Sequence, residues 1–171
     1  MAAIGRERLG DEKQIHEVNA RAFGREVEAN IVDQLRQNCS EALSLVAEED
    51  GKIIGHILFT PAIIETEGEP IVGTHLAPLA VLPEYQRRGI GSALVKAGVE
   101  ESVRQNEPFM VVFGHPTYYP RFGFERASKH HGKCEFEDAP DDAFMLLVLS
   151  KDALKGVAGV VKIRPEFAAA M

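Results

Sequence analysis

One stretch constrains this chain more than any other: Leu79-Ala80-Val81-Leu82-Pro83-Glu84-Tyr85-Gln86-Arg87-Arg88-Gly89-Ile90-Gly91-Ser92-Ala93-Leu94. An apolar run stops at a proline, a turn with two arginines and two glycines follows, and a helical pattern begins. Apolar rows at Ile90, Leu94, Ala97 and at Val95, Val99, Val103 predict a helix from about residue 88 to 106, with a face wide enough to lie on a sheet. Glycine lets the backbone approach a ligand closely. The first amides of a helix lack intrahelical acceptors, and the helix dipole adds partial positive charge there. Arg87 and Arg88 add full charges, so Gln86, Arg87, Arg88, Gly89, Ile90, Gly91 and Ser92 read as a site for a phosphate or pyrophosphate. A dinucleotide fingerprint would need Gly or Ala where Leu94 stands, and the Gly-Lys-Ser/Thr of a Walker loop is absent.

The flanking sequence predicts the elements around this loop. Asp11 is placed to cap a helix carrying Ile15, Val18 and Ala22 and ending near Phe23-Gly24, and a second helix is expected over residues 27–37. Residues 43–48 and 52–64 read as strands joined through Asp50-Gly51, a strong hairpin signal. Residues 71–82 form a third strand, in which Pro78 marks an edge or a bulge because it cannot donate to a ladder. Residues 109–113 are a continuous apolar run typical of a buried strand. A helical turn is expected at residues 118–122 and strands at 124–127 and 144–150, with a polar loop over 130–142. The expectation is one α/β domain over residues 1–171, with its core at about 3–150 and residues 151–171 as a C-terminal extension.

Composition excludes whole classes. The net charge of −7 argues against a dedicated nucleic-acid binder, which needs a basic face. Residues 1–50 carry 6 basic and 11 acidic side chains, which read as a solvated acidic surface or, less simply, as a field attracting a cationic substrate. No apolar run reaches the roughly 20 residues of a membrane helix, and the N-terminal apolar part is too short for a signal peptide. Cys39 and Cys134 form no CxxC pair, which fits a reducing cytoplasm and no cysteine-rich metal site. His130-His131-Gly132-Lys133-Cys134 lacks a second ligand pair and reads as a solvent loop, and His56 as a sheet residue.

The segment 86–91 resembles the Gln/Arg-x-x-Gly-x-Gly/Ala cofactor motif of the GCN5-related N-acetyltransferases. Tyr119-Pro120-Arg121-Phe122-Gly123-Phe124 is similar to that family's downstream Tyr-x-x-x-Gly-Phe signature. The element order follows the family over nearly the whole chain. The Tyr-Tyr-x-Arg-Phe-Gly-Phe ending also resembles a subgroup of uncharacterised bacterial members.

The resemblance implies a mixed, mostly antiparallel sheet of six or seven strands flanked by helices. It implies acetyl transfer from acetyl-CoA to an amine in a ternary complex, without a metal. The loop amides of Arg87, Arg88, Gly89, Ile90, Gly91 and Ser92 would hold the pyrophosphate. Backbone groups of Leu79, Ala80 and Val81 would pair with pantetheine and the acetyl carbonyl. Tyr119 falls where the family's general acid lies, to protonate the departing thiolate. His115 and His75 are both candidates for the general base, and neither is preferred. The acceptor is a small-molecule or peptide amine, with no nucleic acid or membrane, and such proteins often form homodimers. A non-catalytic acyl-CoA sensor would keep the 86–92 loop and have no need of Tyr119. An acetyltransferase acting on a protein amine is a third reading.

Overall fold

Asp50 and Gly51 both take left-handed backbone conformations, with φ of 51° and 77°, as a two-residue hairpin turn requires. They join two strands of a computed structural model that describes residues 2–130 and 132–171. The chain divides into two units. One comprises Met1–Phe59, Ala77–Glu100 and Pro165–Met171, and the other Thr60–Leu76 and Glu101–Arg164.

The first unit opens with β1 (Ala3–Arg6), a strand the sequence pattern does not announce. Helices α1 (Glu12–Phe23) and α2 (Val27–Asn38) follow. Asp11 stands at the N-cap of α1 as expected, but its carboxylate accepts the Arg8 N–H at 2.8 Å rather than a helix amide. Gly24 ends α1 in the left-handed region, at φ 68°. Ile15 and Val18 of α1 and Ile31, Val32 and Leu35 of α2 are buried. Strand β1 pairs antiparallel with β2 (Leu43–Glu49), which pairs antiparallel with β3 (Lys52–Glu65). β3 neighbours β4 (Ile71–Val81); β3 runs on into the second unit, where β4 begins before returning to the first. The C-terminal 3-10 turn at Pro165–Ala170 buries Phe167 and lies against α2.

Helix α3 (Ile90–Arg104) begins two residues later than its pattern suggests, because Arg87 and Gly89 are left-handed at φ 65° and 80°. Ile90, Leu94 and Val95 are buried as expected, but Val103 is exposed and Ser102 takes the buried position. Gly98 lets α3 lie close on β3: a Cβ there would sit 1.9 Å from Cζ of Phe59. Gly98→Ala would gain about 1 kcal/mol of helix propensity. Overpacking against a buried ring costs about 1–3 kcal/mol and should win. The variant is expected to unfold at a lower urea concentration than the parent, with part of the loss recovered by Phe59→Leu. A higher midpoint would refute the close-packing account.

A buried polar chain ties this unit together. His56 on β3 is completely buried. The Asn19 amide donates to Ile15 O at 3.0 Å and to His56 Nδ1 at 3.0 Å. Nε2 therefore carries the imidazole proton and donates to Ser44 Oγ at 2.9 Å, and Ser44 Oγ donates to Glu7 at 2.8 Å. Arg36 closes the chain with two hydrogen bonds to Glu7, at 2.9 and 3.0 Å.

The second unit is built on β5 (Phe109–Phe113), whose first four residues are buried. β5 runs parallel to β4 (Thr74↔Met110, His75↔Val111). After β5 come β6 (Glu125–Arg126), β7 (Gly132–Cys134), β8 (Phe144–Val148), the single turn α4 (Lys151–Leu154) and β9 (Gly159–Lys162). β8 pairs antiparallel with β5 from Phe109↔Val148 to Phe113↔Phe144, and β6 pairs with β8. β9 lies antiparallel to the end of β3 and parallel to β7. The core here gathers Ala62, Ile64, Phe109, Val111, Phe144 and Val161.

Nine strands are present among the described residues, against the six or seven expected. The expected strand at 124–127 shrinks to two residues before a 3-10 turn at Ala127–His130, and β7 lies inside the expected loop. The segment after residue 150 supplies β9 to the ladder and the buried Phe167.

Candidate active site

In the first unit the end of β4 leads into the loop at residues 86–92. Ala80 is buried, while Leu79 and Val81 are half-buried. The Ala77–Pro78 peptide is cis, and Pro78 has no N–H to give a neighbouring strand. A 3-10 turn at Pro83–Tyr85 follows Leu82, whose N–H bonds Ile54 O at 2.9 Å. Gln86 turns its side chain back, and Nε2 donates to Val81 O at 3.0 Å. The left-handed Arg87 and Gly89 then redirect the chain into α3. The first α-helical bond runs from Ala93 N to Gly89 O, so the Ile90 and Gly91 amides precede the first closed turn. Gln86, Arg87, Arg88 and Gly89 are exposed.

Two further residues that sequence reasoning passes over stand beside this loop. The Arg88 guanidinium carbon lies 5.3 Å from the centre of the Tyr85 ring, and Lys52 Nζ lies 5.9 Å from it. The Tyr85 ring thus has two cations within about 6 Å of its centre. Lys52 is 33 residues away in sequence, so spacing carries no sign of it. Glu84, which the sequence places in the loop, is engaged by Arg21 Nη2 at 2.7 Å, and that hydrogen bond holds its carboxyl below the ordinary carboxylate range. The loop thus carries Arg87 and Arg88, with Lys52 beside it.

In the second unit, β5 ends in Phe113-Gly114 and the chain turns through His115. The His115 carbonyl accepts the Tyr118 N–H at 3.1 Å and the Tyr119 N–H at 3.5 Å. Tyr119 opens a 3-10 turn (Tyr119–Phe122) that closes at Gly123, left-handed at φ 96°. The Tyr119 ring is 7% exposed, with Tyr118, Phe124 and Phe122 at ring-centre distances of 5.0, 5.7 and 6.5 Å. Burial, with Tyr118 adding to it, pushes the phenol above its ordinary value and keeps the proton on oxygen at physiological pH. The two histidine candidates differ sharply. His115 is exposed. His75 is completely buried on β4, edge-on to Phe113 at 6.2 Å, and burial pushes it down to about 3.

His130 Nε2 lies 3.4 Å from Glu125, and Cys134 Sγ accepts the Phe136 N–H at 3.3 Å. His131 lies outside the described residues. Among the described residues no group of three or more His, Cys, Asp or Glu could hold a metal ion, and no helix is long and apolar enough to cross a membrane.

A mixed, mostly antiparallel sheet, with parallel pairs at β4–β5 and β7–β9, and a glycine loop opening the long helix define a GCN5-related acetyltransferase fold. Comparison with known proteins agrees. The family model "Acetyltransferase (GNAT) domain" matches residues 6–127, and the chain belongs to that family. It is 44% identical over 124 residues to the uncharacterized N-acetyltransferase YjhQ of Escherichia coli K12, covering 71% of this chain and 68% of that protein. It is 35% identical over 148 residues to the uncharacterized N-acetyltransferase YhbS of the same strain, covering 86% and 87%. The crystal structure of E. coli YhbS in complex with CoA superposes with a TM-score of 0.90 at 34% identity, over 98% of this chain and 92% of that one. A GNAT family acetyltransferase from Brucella melitensis in complex with acetyl-CoA gives 0.80 at 32% identity, over 98% of each chain.

Proposed function

We propose that the protein transfers the acetyl group of acetyl-CoA to a primary amine by direct attack within a ternary complex. The observation that carries this reading is the loop itself: left-handed Arg87 and Gly89, first-turn amides of α3, and Arg88 and Lys52 gathered on Tyr85. The CoA and acetyl-CoA bound to the two similar structures support it.

Each residue has a stated task. The amides of Arg87, Arg88, Gly89, Ile90, Gly91 and Ser92 hold the pyrophosphate, with the arginine side chains neutralising it. Backbone groups of Leu79, Ala80 and Val81 pair with pantetheine, and the Val81 N–H polarises the acetyl carbonyl. The amine nitrogen bonds to the carbonyl carbon as the carbon–sulfur bond breaks. Tyr119 gives its hydroxyl proton to the leaving sulfur. Burial keeps that proton on oxygen at physiological pH, the form a general acid needs, while making the phenol a weaker acid than a free tyrosine. The amine's proton leaves to solvent or to His115, which is exposed. His75, buried and held neutral, serves the β4–β5 core in this reading. Much of the rate comes from holding two substrates in attacking geometry. The free thiols at Cys39 and Cys134 fit a cytoplasmic setting.

Calorimetric titration with acetyl-CoA should give saturable one-to-one binding, and thiol release should report turnover when amines are screened as acceptors. Tyr119→Phe is expected to lower kcat by about 100-fold or more while acetyl-CoA affinity stays within twofold. Binding without turnover for any amine would favour the sensor reading. No binding would remove the acetyl-CoA assignment.

A further inference from the structure

We propose that Gly114 is a positioning residue for the reaction: its missing side chain is the seat of the Tyr119 ring. This rests on the reading of Tyr119 as the general acid. A Cβ built on Gly114 would lie 2.2 Å from Cε2 of Tyr119, 2.7 Å from Cδ2 and 3.3 Å from Cζ. The ring cannot yield by a rotamer change at a floppy tip, because it is rigid and enclosed by Tyr118, Phe122 and Phe124. Gly114 is not among the glycines with left-handed backbone, so a larger residue brings no dihedral strain of its own. Its N–H donates to Ala143 O at 2.9 Å, a bond any residue but proline can keep. What glycine provides here is the absence of a methyl group where the Tyr119 ring edge lies.

Local chain geometry explains why the two meet. Gly114 follows the last residue of β5, and the turn held by the His115 carbonyl folds the chain back within five residues. Tyr119 thereby lies across the strand end it has just left. The hydroxyl is placed by the ring, and the ring by the flat surface of Gly114. A displacement of about 1 Å at a reacting group can cost on the order of 100-fold in rate.

The test is a cycle of Gly114→Ala, Tyr119→Phe and the double variant, each assayed for kcat, for acetyl-CoA affinity by calorimetry, and for tyrosine ionisation by ultraviolet absorbance. Gly114→Ala is expected to lower kcat by about 30- to 100-fold with acetyl-CoA affinity unchanged. The double variant should be no slower than Tyr119→Phe alone, since a seat has no value once the hydroxyl is gone. The Tyr119 ionisation signal, isolated by difference from Tyr119→Phe, should move to lower pH in Gly114→Ala as the ring is forced toward solvent. Unchanged kcat in Gly114→Ala, or losses that multiply in the double variant, would overturn the inference. Parental kcat in Tyr119→Phe would overturn the acid assignment itself, and any role for Gly114 in catalysis with it. Should Gly114→Ala not fold, Gly114→Ala combined with Tyr119→Leu removes the colliding ring edge. Recovery of folding there supports the seat, and continued failure rejects it.

Discussion

Gly91→Asp is expected to abolish measurable acetyl-CoA binding while leaving the fold as stable as before. Gly91 is the second residue of α3, in the turn whose amides we assign to the pyrophosphate. An aspartate there sets a negative charge against a dianionic ligand, and such like-charge juxtaposition costs several kcal/mol. Every 1.4 kcal/mol is about tenfold, so the dissociation constant should rise by roughly 100- to 1,000-fold. The same charge is welcome to the helix, because an acidic side chain in a first turn gains about 0.3–1 kcal/mol from the dipole and glycine is a poor helix former. The two effects have opposite signs, which makes the experiment decisive. Calorimetry should lose the acetyl-CoA signal while the thermal midpoint holds or rises. Gly89→Asp makes a useful contrast. Gly89 is left-handed at φ 80°, so any side chain there adds backbone strain of about 1–2 kcal/mol, and affinity and stability should both fall. Parental affinity in Gly91→Asp would mean that the loop does not face the ligand.

What could be read from the sequence follows from how local the cause is. The Asp50-Gly51 hairpin and the Gly24 helix end are each dictated by residues within a few positions, and both fold as read. The turn between β4 and α3 was legible for the same reason, although the start of α3 was not: Arg87 carries no mark of its left-handed φ, and only the glycine after next hints at it. Strands β1, β7 and β9 were missed because each has only three or four residues, too few for a period to show, and each is defined by a distant partner. Gly159 illustrates this. A Cβ there would lie 2.1 Å from the Glu65 carbonyl oxygen, so its glycine is required by a strand 94 residues earlier. Within the candidate site, the residues proposed for the cofactor fall in two neighbouring segments, 79–81 and 86–92, and could be named together. Lys52 and Gly114 come near the Tyr85 and Tyr119 rings only in the folded chain, and residue type alone does not reveal that nearness.

The protein should lose stability steeply as pH falls below about 6, and two buried histidines set that slope. His56 and His75 are each completely buried and held down to about 3 by desolvation. In the unfolded chain an imidazole titrates near 6.5. Between those values the unfolded chain binds protons that the folded chain refuses, so the stabilising contribution is complete above about 6.5 and drains away as pH falls toward 3. At pH 4.5 the two histidines together should have cost about 5 kcal/mol, a large part of the 5–15 kcal/mol typical of a domain. Glu7 adds to the same trend. Burial alone would raise its carboxyl, but the hydrogen bonds from Arg36 and Ser44 prevail and hold it low, so that support is also lost in acid. Urea unfolding at pH 7, 6 and 5 should show a slope approaching two protons, and His56→Gln should reduce it to about one. A flat profile over that range would mean that the histidines accept protons inside the fold. The same burial bears on catalysis. A base held near 3 would place its acid limb where the fold has already been lost. An acid limb in kcat/KM between pH 5 and 8 must therefore originate outside His75.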